Sequence, residues 1–246
     1  MGAQCTIVMP VYNESACIAG VCRQWMDVVR ALSSAELLVI DDGSLDGTSA
    51  ILDELAALET RLIVVHQENS GHGAAIRRGY RLAIHRGAEW IFQTDSDGEI
   101  SAADFWRLWP DRRQSRFVLG ARQNRQDAPV RRLLSRIHRA ILRVLFGVKL
   151  QDPNVGFRLM ASSFLAVLLE QVPDRVFAPN VFLAILARSC AEDLHEVPVN
   201  HMPRSSGKGS IRLCRLPFLV WRCLRELLAF RLSFSRRRCA SRASLA

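Results

Sequence analysis

The sequence predicts an α/β fold, with a largely parallel central sheet that helices cover on both faces. Four short apolar runs, rich in Val, Leu and Ile, recur between residues 6 and 92. Amphipathic segments of helical length separate these runs. The runs are apolar at nearly every position instead of alternating, which is typical of parallel strands buried on both faces. With 246 residues, 49% of them hydrophobic, the chain can bury a sizeable core around such a sheet.

The elements follow from these runs in chain order. The apolar runs predict strands at residues 6–9, 37–40, 62–65 and 90–92. The segments between them predict helices that end near Leu32, Leu58 and Arg86. Asp46 is a candidate cap for the second helix. A fifth run predicts a strand at residues 117–120, and a long helix is expected from Arg131 onward. This alternation of strand and helix is that of consecutive βαβ units.

Polar residues follow each of the first four predicted strands at the point where the strand ends. They are Tyr12 and Glu14, Asp41 and Asp42, Asn69 and Gly71, and Asp95 and Asp97. Because the carboxyl ends of parallel strands meet at one edge of a sheet, we expect these groups to share one rim. Ligands of open α/β sheets bind beyond that edge. The sequence therefore predicts a ligand site on this rim.

The acidic stretch after the fourth strand, residues 95–99, is the strongest candidate for chemistry. Asp95, Asp97 and Glu99 are spaced two residues apart, so their carboxylates can converge on one divalent cation. Hard oxygen ligands favour Mg²⁺ or Mn²⁺, which usually arrive with substrate phosphates. The alternative is a solvated acidic turn, since Asp-Gly is a common turn pair.

Positive charge is concentrated in two segments. The formal net charge is +9, whereas residues 201–246 alone hold eleven Lys/Arg and one Glu, a net charge of +10. Residues 131–149 hold six Lys/Arg and no acid. This distribution predicts an anionic partner, namely nucleic acid, a membrane surface or phosphate groups. Nucleic acid is the weakest of these, because no recognisable nucleic-acid-binding module accompanies the charge.

The seven cysteines are scattered, with no Cys-x-x-Cys pair, and predict reduced thiols in a cytoplasmic protein. The N-terminus does not have the pattern of a signal peptide. No stretch approaches the roughly 18 apolar residues that a membrane-spanning helix needs.

Three separated motifs in the first half resemble family 2 glycosyltransferases of the GT-A fold. They are Val-Met-Pro-Val-Tyr-Asn-Glu at 8–14, Val-Ile-Asp-Asp-Gly-Ser-Leu-Asp-Gly-Thr at 39–48 and Asp-Ser-Asp at 95–97. The match is specific because the motifs occur in order and at the expected strand ends. The resemblance implies that Asp95 and Asp97 hold Mg²⁺ or Mn²⁺ on the diphosphate of a nucleotide-sugar. Glu99 is a candidate third ligand.

The resemblance also implies a set of residues that bind the nucleotide-sugar: Pro10, Tyr12, Glu14, Asp41, Asp42, Asp95 and Arg204. Within this set, Asp42 is the better candidate to contact the base, whereas Asp41 serves the structure of the site. Arg204 adds positive charge at the diphosphate.

Motifs in the second half are similar to the polyprenyl-phosphate branch, which includes dolichol-phosphate mannose synthases and bacterial undecaprenyl-phosphate relatives. They are Gly-x-Arg at 120–122, Arg-x-x-Ser at 132–135, Asp-x-x-x-Gly-Phe-Arg at 152–158 and Arg-x-x-Gly at 204–207. This similarity implies inverting transfer to a polyprenyl phosphate that Arg122, Arg132 and Ser135 grip. Arg158 either pairs with Asp152 or contacts a substrate. A second reading keeps the family but has a glycan or glycolipid acceptor.

Two basic helices are predicted in the second half. In residues 131–149, five apolar residues recur at helical spacing: Leu133, Ile137, Ile141, Val144 and Val148. That helix either packs on the core or lies on a membrane. Residues 215–232 alternate Arg with Leu, Phe and Trp, which predicts a helix on an anionic membrane surface, with Phe218 and Trp221 at headgroup level.

These patterns predict a GT-A catalytic domain at residues 1–210, followed at 211–246 by an interfacial helix and a disordered basic tail. The expected setting is a peripheral enzyme at the cytoplasmic face of the membrane, alone or paired with a separate membrane protein.

Overall fold

The computed structural model describes residues 2–123, 129–174, 176–190, 194–202 and 216–233. The strands are β1 Cys5–Val11, β2 Ala35–Asp41, β3 Leu62–His66, β4 Trp90–Gln93, β5 Phe117–Gln123, β6 Arg158–Ala161 and β7 Leu194–Asn200. The helices are α1 Ile18–Ala31, α2 Thr48–Leu58, α3 His72–His85, α4 Phe105–Leu108, α5 Pro129–Phe146, α6 Ser162–Leu169, α7 Pro179–Ser189 and α8 Leu216–Ser233.

The strands form a single sheet in the order β3-β2-β1-β4-β6-β5-β7. The pairs β1–β2, β1–β4, β2–β3 and β5–β7 are parallel. Among the described strands, only β6 runs against its neighbours, β4 and β5. The predicted largely parallel sheet is therefore confirmed.

The direction of the chain along the sheet locates the ligand edge. From β1 the chain runs outward to β3, and it then returns to place β4 on the other side of β1. Right-handed crossovers therefore put α1 and α2 on one face and α3 on the opposite face. The strand order reverses between β1 and β4, and ligands of open α/β sheets bind at such a reversal. The loops after β1 and β4 are thus at the centre of the rim.

An aromatic cluster fixes β4 beneath that rim. The ring centroid of Phe92 in β4 lies 5.4 Å from that of Trp25 in α1 and 4.8 Å from that of Phe157. All three side chains are almost fully buried. Burying one such side chain stabilises the fold by about 1.5 to 3 kcal/mol. The cluster therefore holds the acidic loop after β4 in place relative to α1.

The five strands expected from the sequence are all present, each within three residues of its predicted ends. The apolar pattern did not reveal β6 or β7, and β7 has the mixed sequence Leu-His-Glu-Val-Pro-Val-Asn. At the start of α2, Gly47 occupies the cap position with a φ of 91°. Asp46 nevertheless binds this helix start, because its Oδ1 accepts the N–H of Thr48 at 3.1 Å.

Helix α5 turns only part of its apolar surface to the core. It packs inward through Leu142 and Phe146, which are buried. Val148 is also buried but lies beyond the end of the helix. Three apolar side chains of the predicted stripe are 56%, 45% and 82% exposed: Leu133, Ile137 and Val144.

Helix α8 packs against α5 and α7 by its own buried side. The ring centroid of Phe230 lies 6.0 Å from that of Phe146 and 4.9 Å from that of Phe182. Leu227 is buried beside it. Three other apolar side chains of α8 are 56%, 46% and 90% exposed: Trp221, Leu228 and Leu232. We call these three and the three exposed residues of α5 the apolar face.

Cys5, Cys17, Cys22 and Cys223 are free thiols, whereas Cys190 takes part in a disulfide. The expectation that every cysteine is reduced is therefore wrong at Cys190. None of the helices in the described ranges has the length and apolar content to cross a membrane.

Candidate active site

The loops after β1 to β4 meet at one edge of the sheet, as the sequence predicts. Parallel pairing carries β1 and β2 side by side up to Val11 and Asp41, and β2 and β3 up to His66. The loop after β1 is tied to the start of α2, because the N–H of Glu14 donates to Oγ1 of Thr48 at 2.9 Å. The rim is therefore a connected structure before any ligand binds.

Asp41, the last residue of β2, serves the structure of the rim. Its Oδ1 accepts the Ser44 hydroxyl at 2.6 Å, and its Oδ2 accepts the Ser49 hydroxyl at 2.5 Å and lies 2.8 Å from Nδ1 of His66. Burial raises the pKa of Asp41, but these hydrogen bonds outweigh it and lower the pKa overall. The ionised Asp41 carboxylate therefore holds together the loop after β2, the start of α2 and the end of β3.

Asp42 organises the loop between β3 and α3. Its Oδ1 accepts the N–H of Ser70 at 2.9 Å and the side-chain amide of Gln67 at 2.5 Å. Its Oδ2 accepts the N–H of Gly71 at 2.8 Å. Asp42 is buried, so its predicted contact with a base would use the lone pairs that these bonds leave.

The loop after β1 presents a different set of groups to the rim. Tyr12 is 44% exposed, whereas Pro10 lies inside β1 and is buried. The Cys17 thiol lies 3.3 Å from Oε2 of Glu14 and 3.7 Å from the carbonyl oxygen of Ser96. These contacts join the loop that carries Glu14 to the acidic loop.

Asp95 contains a buried oxygen without a hydrogen-bond donor. Its side chain is 40% exposed, but its Oδ1 is shielded from solvent and accepts no hydrogen bond. Nε2 of His72 lies 3.9 Å from this oxygen. Burial raises the pKa of Asp95, and Asp97 adds to the shift, while His72 and Arg122 oppose it. Burying a carboxylate is costly unless a positive charge compensates it, so the geometry favours a cation here.

The donor set around Asp95 fits a divalent cation that substrate phosphates help to hold. Mg²⁺ is commonly bound by one or two carboxylates together with phosphate oxygens. Asp97 lies two residues on, and its Oδ1 accepts the N–H of Glu99 at 3.1 Å. Within the part of the chain that the structure describes, no three His, Cys, Asp or Glu side chains are grouped closely enough to hold a metal by themselves. The carboxylates of Asp95 and Asp97 would therefore hold the cation together with a diphosphate.

Glu99 is directed toward the loop after β7. Its Oε2 lies 3.1 Å from Nε2 of His201, and its carbonyl oxygen accepts the N–H of Met202 at 2.8 Å. The structure thus gives Glu99 a partner other than Asp95 or Asp97. Its role as a third metal ligand stays a prediction.

Arg122 lies at the end of β5 and forms a two-pronged ion pair with Asp152. Its Nε donates to Oδ2 at 2.6 Å and its Nη2 donates to Oδ1 at 3.0 Å. Burial lowers the pKa of Arg122, but the Asp152 pair outweighs it, with Asp95 and Glu99 adding to the rise. Asp152 therefore fixes the orientation of the Arg122 guanidinium at the end of β5.

Both roles considered for Arg158 are wrong. Asp152 pairs with Arg122 instead, and Arg158 is completely buried, out of reach of a substrate. Its Nε donates to the carbonyl oxygen of Val155 at 3.0 Å and its Nη1 to that of Asn180 at 3.0 Å. Arg158 lies in β6 opposite Gln93, which directs its side chain into the interior.

The remaining acceptor residues lie on or after α5. Arg132 is in the first turn of α5, and its side chain lies outside the described residues, as does Arg204 altogether. Ser135 is half-buried, and His138 follows one turn later on the same side of the helix. Burial lowers the pKa of His138, while Asp152 acts in the opposite direction. Nη1 of Arg139 on α5 donates to the carbonyl oxygen of Gln151 at 3.2 Å, so this helix lies beside the segment that contains Asp152.

The sequence patterns did not predict that three further residues belong to this site. His72 stands within the Asn-Ser-Gly-His-Gly stretch after the third strand, so its place on the rim was the available signal. His201 directly follows β7, a strand that the apolar pattern does not reveal. Gly156 contacts the carboxylate of Asp95, and only the folded chain brings these two residues together.

The chain is similar in sequence to known proteins. Residues 6–167 match the model of glycosyl transferase family 2. The undecaprenyl-phosphate 4-deoxy-4-formamido-L-arabinose transferase of Edwardsiella ictaluri is 28% identical over 220 residues, which cover 88% of this chain and 65% of the relative. The chain thus spans about two thirds of the length of that relative. The undecaprenyl-phosphate mannosyltransferase of Micrococcus luteus is 25% identical over 211 residues, covering 83% and 86% of the two chains.

The fold has counterparts among solved structures. One is glucosyl-3-phosphoglycerate synthase from Mycobacterium tuberculosis, solved with Mn²⁺, UDP and glucosyl-3-phosphoglycerate. It has a TM-score of 0.67 and 21% identity, over 93% of this chain and 80% of that one. Mannosyl-3-phosphoglycerate synthase from Rubrobacter xylanophilus has a TM-score of 0.63 and 14% identity, over 92% and 73%. At sequence identities this low, the likeness shows a shared fold and nothing further.

Proposed function

The chain belongs to glycosyltransferase family 2, and on that premise we propose that it transfers a sugar from a nucleotide-sugar to a polyprenyl phosphate. The proposed reaction depends on Mg²⁺ or Mn²⁺ and inverts the configuration of the sugar. The observation that carries it is the buried Oδ1 of Asp95, which lacks a hydrogen-bond donor at the rim where the strand order reverses. A cation brought by a diphosphate would satisfy this oxygen.

The donor side of the site uses the loops after β1 to β4. Asp95 and Asp97 would hold the metal, which acts as a Lewis acid on the leaving nucleoside diphosphate. Tyr12 and Asp42 would line the nucleoside pocket, and Asp42 holds the Ser70–Gly71 backbone in place. Because these contacts exist before a ligand binds, little reorganisation is needed when the donor enters.

The acceptor side is built around Arg122. Asp152 holds the Arg122 guanidinium by Nε and Nη2, so that its Nη1 is left to meet a phosphate. Ser135 approaches from α5, and Arg132 precedes it by one turn. The names of the two curated relatives support a polyprenyl phosphate as the acceptor. Among the alternatives, a glycan or glycolipid acceptor would not require this concentration of arginine.

The proposed reaction requires mainly that the protein position its two substrates. A phosphate monoester has its second pKa near 6, so at neutral pH it is largely a dianion and is already nucleophilic. Attack of its oxygen on the anomeric carbon forms the new bond as the bond to the nucleoside diphosphate breaks. The protein must bring two anionic groups together, and the arginines would lower the repulsion between them.

The apolar face supports a contact with the membrane that contains the lipid acceptor. It places six exposed apolar side chains on the neighbouring helices α5 and α8. Arg225, exposed on α8, stacks over Trp221 with its guanidinium 5.1 Å from the ring centroid. Exposed apolar side chains beside arginine are typical of helices that lie on anionic lipid. We assign this contact to the cytoplasmic face of the membrane.

The function is tested with the full chain, undecaprenyl phosphate, Mn²⁺ and a panel of labelled UDP- and GDP-sugars. We expect one donor to yield a labelled lipid that mild acid cleaves. Asp97→Ala should abolish this transfer, whereas Asp27→Ala, which alters a carboxylate with a 76% exposed side chain on α1, should leave it intact. Transfer to a soluble glycan but never to the lipid would refute the proposed acceptor. No transfer from any donor would refute the reaction.

The acceptor assignment has a kinetic test. Arg132→Ala should raise KM for the lipid phosphate and leave the binding of UDP or GDP with Mn²⁺ unchanged. An equal loss of nucleotide binding would contradict a role on the acceptor side.

Membrane contact is tested by co-sedimentation with vesicles of anionic phospholipid. Replacing Trp221, Leu228 and Leu232 together by Ser should weaken binding roughly tenfold or more, because each buried CH₂ contributes about 0.8 kcal/mol. The matched control replaces Leu45 and Leu58, which are 88% and 81% exposed elsewhere on the surface. Equal vesicle binding by the two variants would count against the apolar face.

A further inference from the structure

Gly156 makes room for the carboxylate of Asp95. A Cβ at position 156 would lie 2.2 Å from Oδ1 and 2.3 Å from Oδ2 of Asp95, and 2.4 Å from its carboxyl carbon. These distances are far below van der Waals contact. Gly156 is not among the glycines with positive φ, so its backbone conformation does not call for glycine. The space that Asp95 occupies is therefore the reason for a glycine here.

The segment that contains Gly156 is anchored on both sides. The carbonyl oxygen of Phe157 accepts the N–H of Gly120 in β5 at 2.8 Å. On the other side, Arg158 pairs with Gln93 in β4, the strand that leads directly into Asp95. Gly156 therefore cannot withdraw from Asp95 without breaking strand pairing.

Arg158 shapes the turn that presents Gly156. Its guanidinium donates to the carbonyl oxygens of Val155 and Asn180 at 3.0 Å each, and its Nη2 reaches that of Pro153 at 3.4 Å. Among the described residues, the groups that accept hydrogen bonds from this buried cation are all backbone carbonyls, and none is a carboxylate.

We propose that Gly156 and Arg158 are positioning residues of the metal site, which hold the Asp95 carboxylate against the backbone in the orientation that binds the cation. This inference rests on the proposed function. It assigns the Gly-Phe-Arg part of the 152–158 motif to the donor side of the reaction. Asp152, at the start of the same motif, holds Arg122 on the acceptor side, so one segment sets the distance between the two halves of the site.

The test measures Mn²⁺ binding to the full chain in the presence of UDP and, in parallel, GDP, by the loss of the free Mn²⁺ paramagnetic resonance signal. Gly156→Ala should weaken Mn²⁺ binding at least tenfold. Because the Asp95 side chain is 40% exposed, it can turn toward solvent, and the Tm should stay close to that of the unmodified chain. KM for the nucleotide-sugar should rise, while KM for the lipid phosphate stays the same.

The control is Gly20→Ala in α1, where an added Cβ meets nothing within 4 Å. It should leave Mn²⁺ binding unchanged. Arg158→Lys keeps the charge but lacks the wide planar fork that reaches carbonyl groups on separate segments, so it should weaken Mn²⁺ binding by a smaller factor than Gly156→Ala. Asp95→Asn is the reference for loss of the ligand itself.

The outcomes separate this inference from the proposed function. If Asp95→Asn loses Mn²⁺ binding but Gly156→Ala binds Mn²⁺ within twofold of the unmodified chain, the positioning role is wrong and the metal site stands. If Gly156→Ala raises only KM for the lipid phosphate, the motif belongs to the acceptor side and the inference is overturned. If the unmodified chain fails to bind Mn²⁺ both in the presence of UDP and in the presence of GDP, the proposed function fails, and this inference fails with it.

Discussion

The ion pair between Arg122 and Asp152 should stabilise the folded chain more than any surface pair does. The two side chains are only 18% and 9% exposed, and two donor–acceptor distances of 2.6 and 3.0 Å join them. Replacing Asp152 leaves the Arg122 charge buried without the carboxylate that it contacts. Removing one member of a buried pair typically costs about 3 to 5 kcal/mol.

The rim position of this pair favours the lower end of that range, about 3 kcal/mol. For a domain of this size each kcal/mol shifts the Tm by roughly 2 to 4 °C, so Asp152→Ala should lower the Tm by about 6 to 12 °C. Replacing both residues should cost less than the two single changes added together. We expect a coupling energy of about 2 to 3 kcal/mol between the two positions.

The assay is urea unfolding of the four proteins of the cycle: the unmodified chain, Arg122→Ala, Asp152→Ala and the double variant. The m-values must agree for the free energies to be compared. The control cycle uses Arg30 and Asp27, whose side chains are 49% and 76% exposed, and should give a coupling of at most about 0.5 kcal/mol. A coupling for Arg122 and Asp152 no larger than the control would refute the buried pair.

Two further predictions concern the polar network around the rim. His66 binds Asp53 and Asp41, which raise its pKa above the ordinary 6.5. Its stabilising effect is therefore complete below pH 6.5 and is lost as the pH rises through the raised value. His66→Phe should flatten the dependence of the unfolding free energy on pH over that window; an unchanged profile would contradict the bridge. Tyr80 is fully buried and donates to Oε1 of Gln93. Tyr80→Phe leaves that oxygen unpaired and should cost about 1 to 3 kcal/mol in calorimetry, and an unaltered Tm would argue against this bond.

Much of the rim was predictable from the sequence because the point at which each strand ends is a local property. Each apolar run ends where polar residues begin, and parallel strands must place those ends together. Asp42, Asp95 and Asp97 were located in this way. Their motifs also indicated the family.

The partners of the charged residues were not predictable in the same way. From the sequence, Arg158 was a candidate either to pair with Asp152 or to contact a substrate. The antiparallel strand β6 instead turns Arg158 into the interior, and β5 brings Arg122 to Asp152 from thirty positions away. Side-chain pairing over such distances depends on how strands pair, which no local pattern encodes.

The sequence alone determined the α/β class, the acidic loop and the two basic helices, because apolar periodicity and residue chemistry are properties of short segments. Only the tertiary structure decided which side of α5 packs, that Glu99 turns to His201, and that Gly156 lies against Asp95. An amphipathic pattern reveals that a helix has two sides but does not say what covers each of them. The reason for a glycine likewise becomes clear only when the structure shows which atoms occupy the space where a side chain would lie.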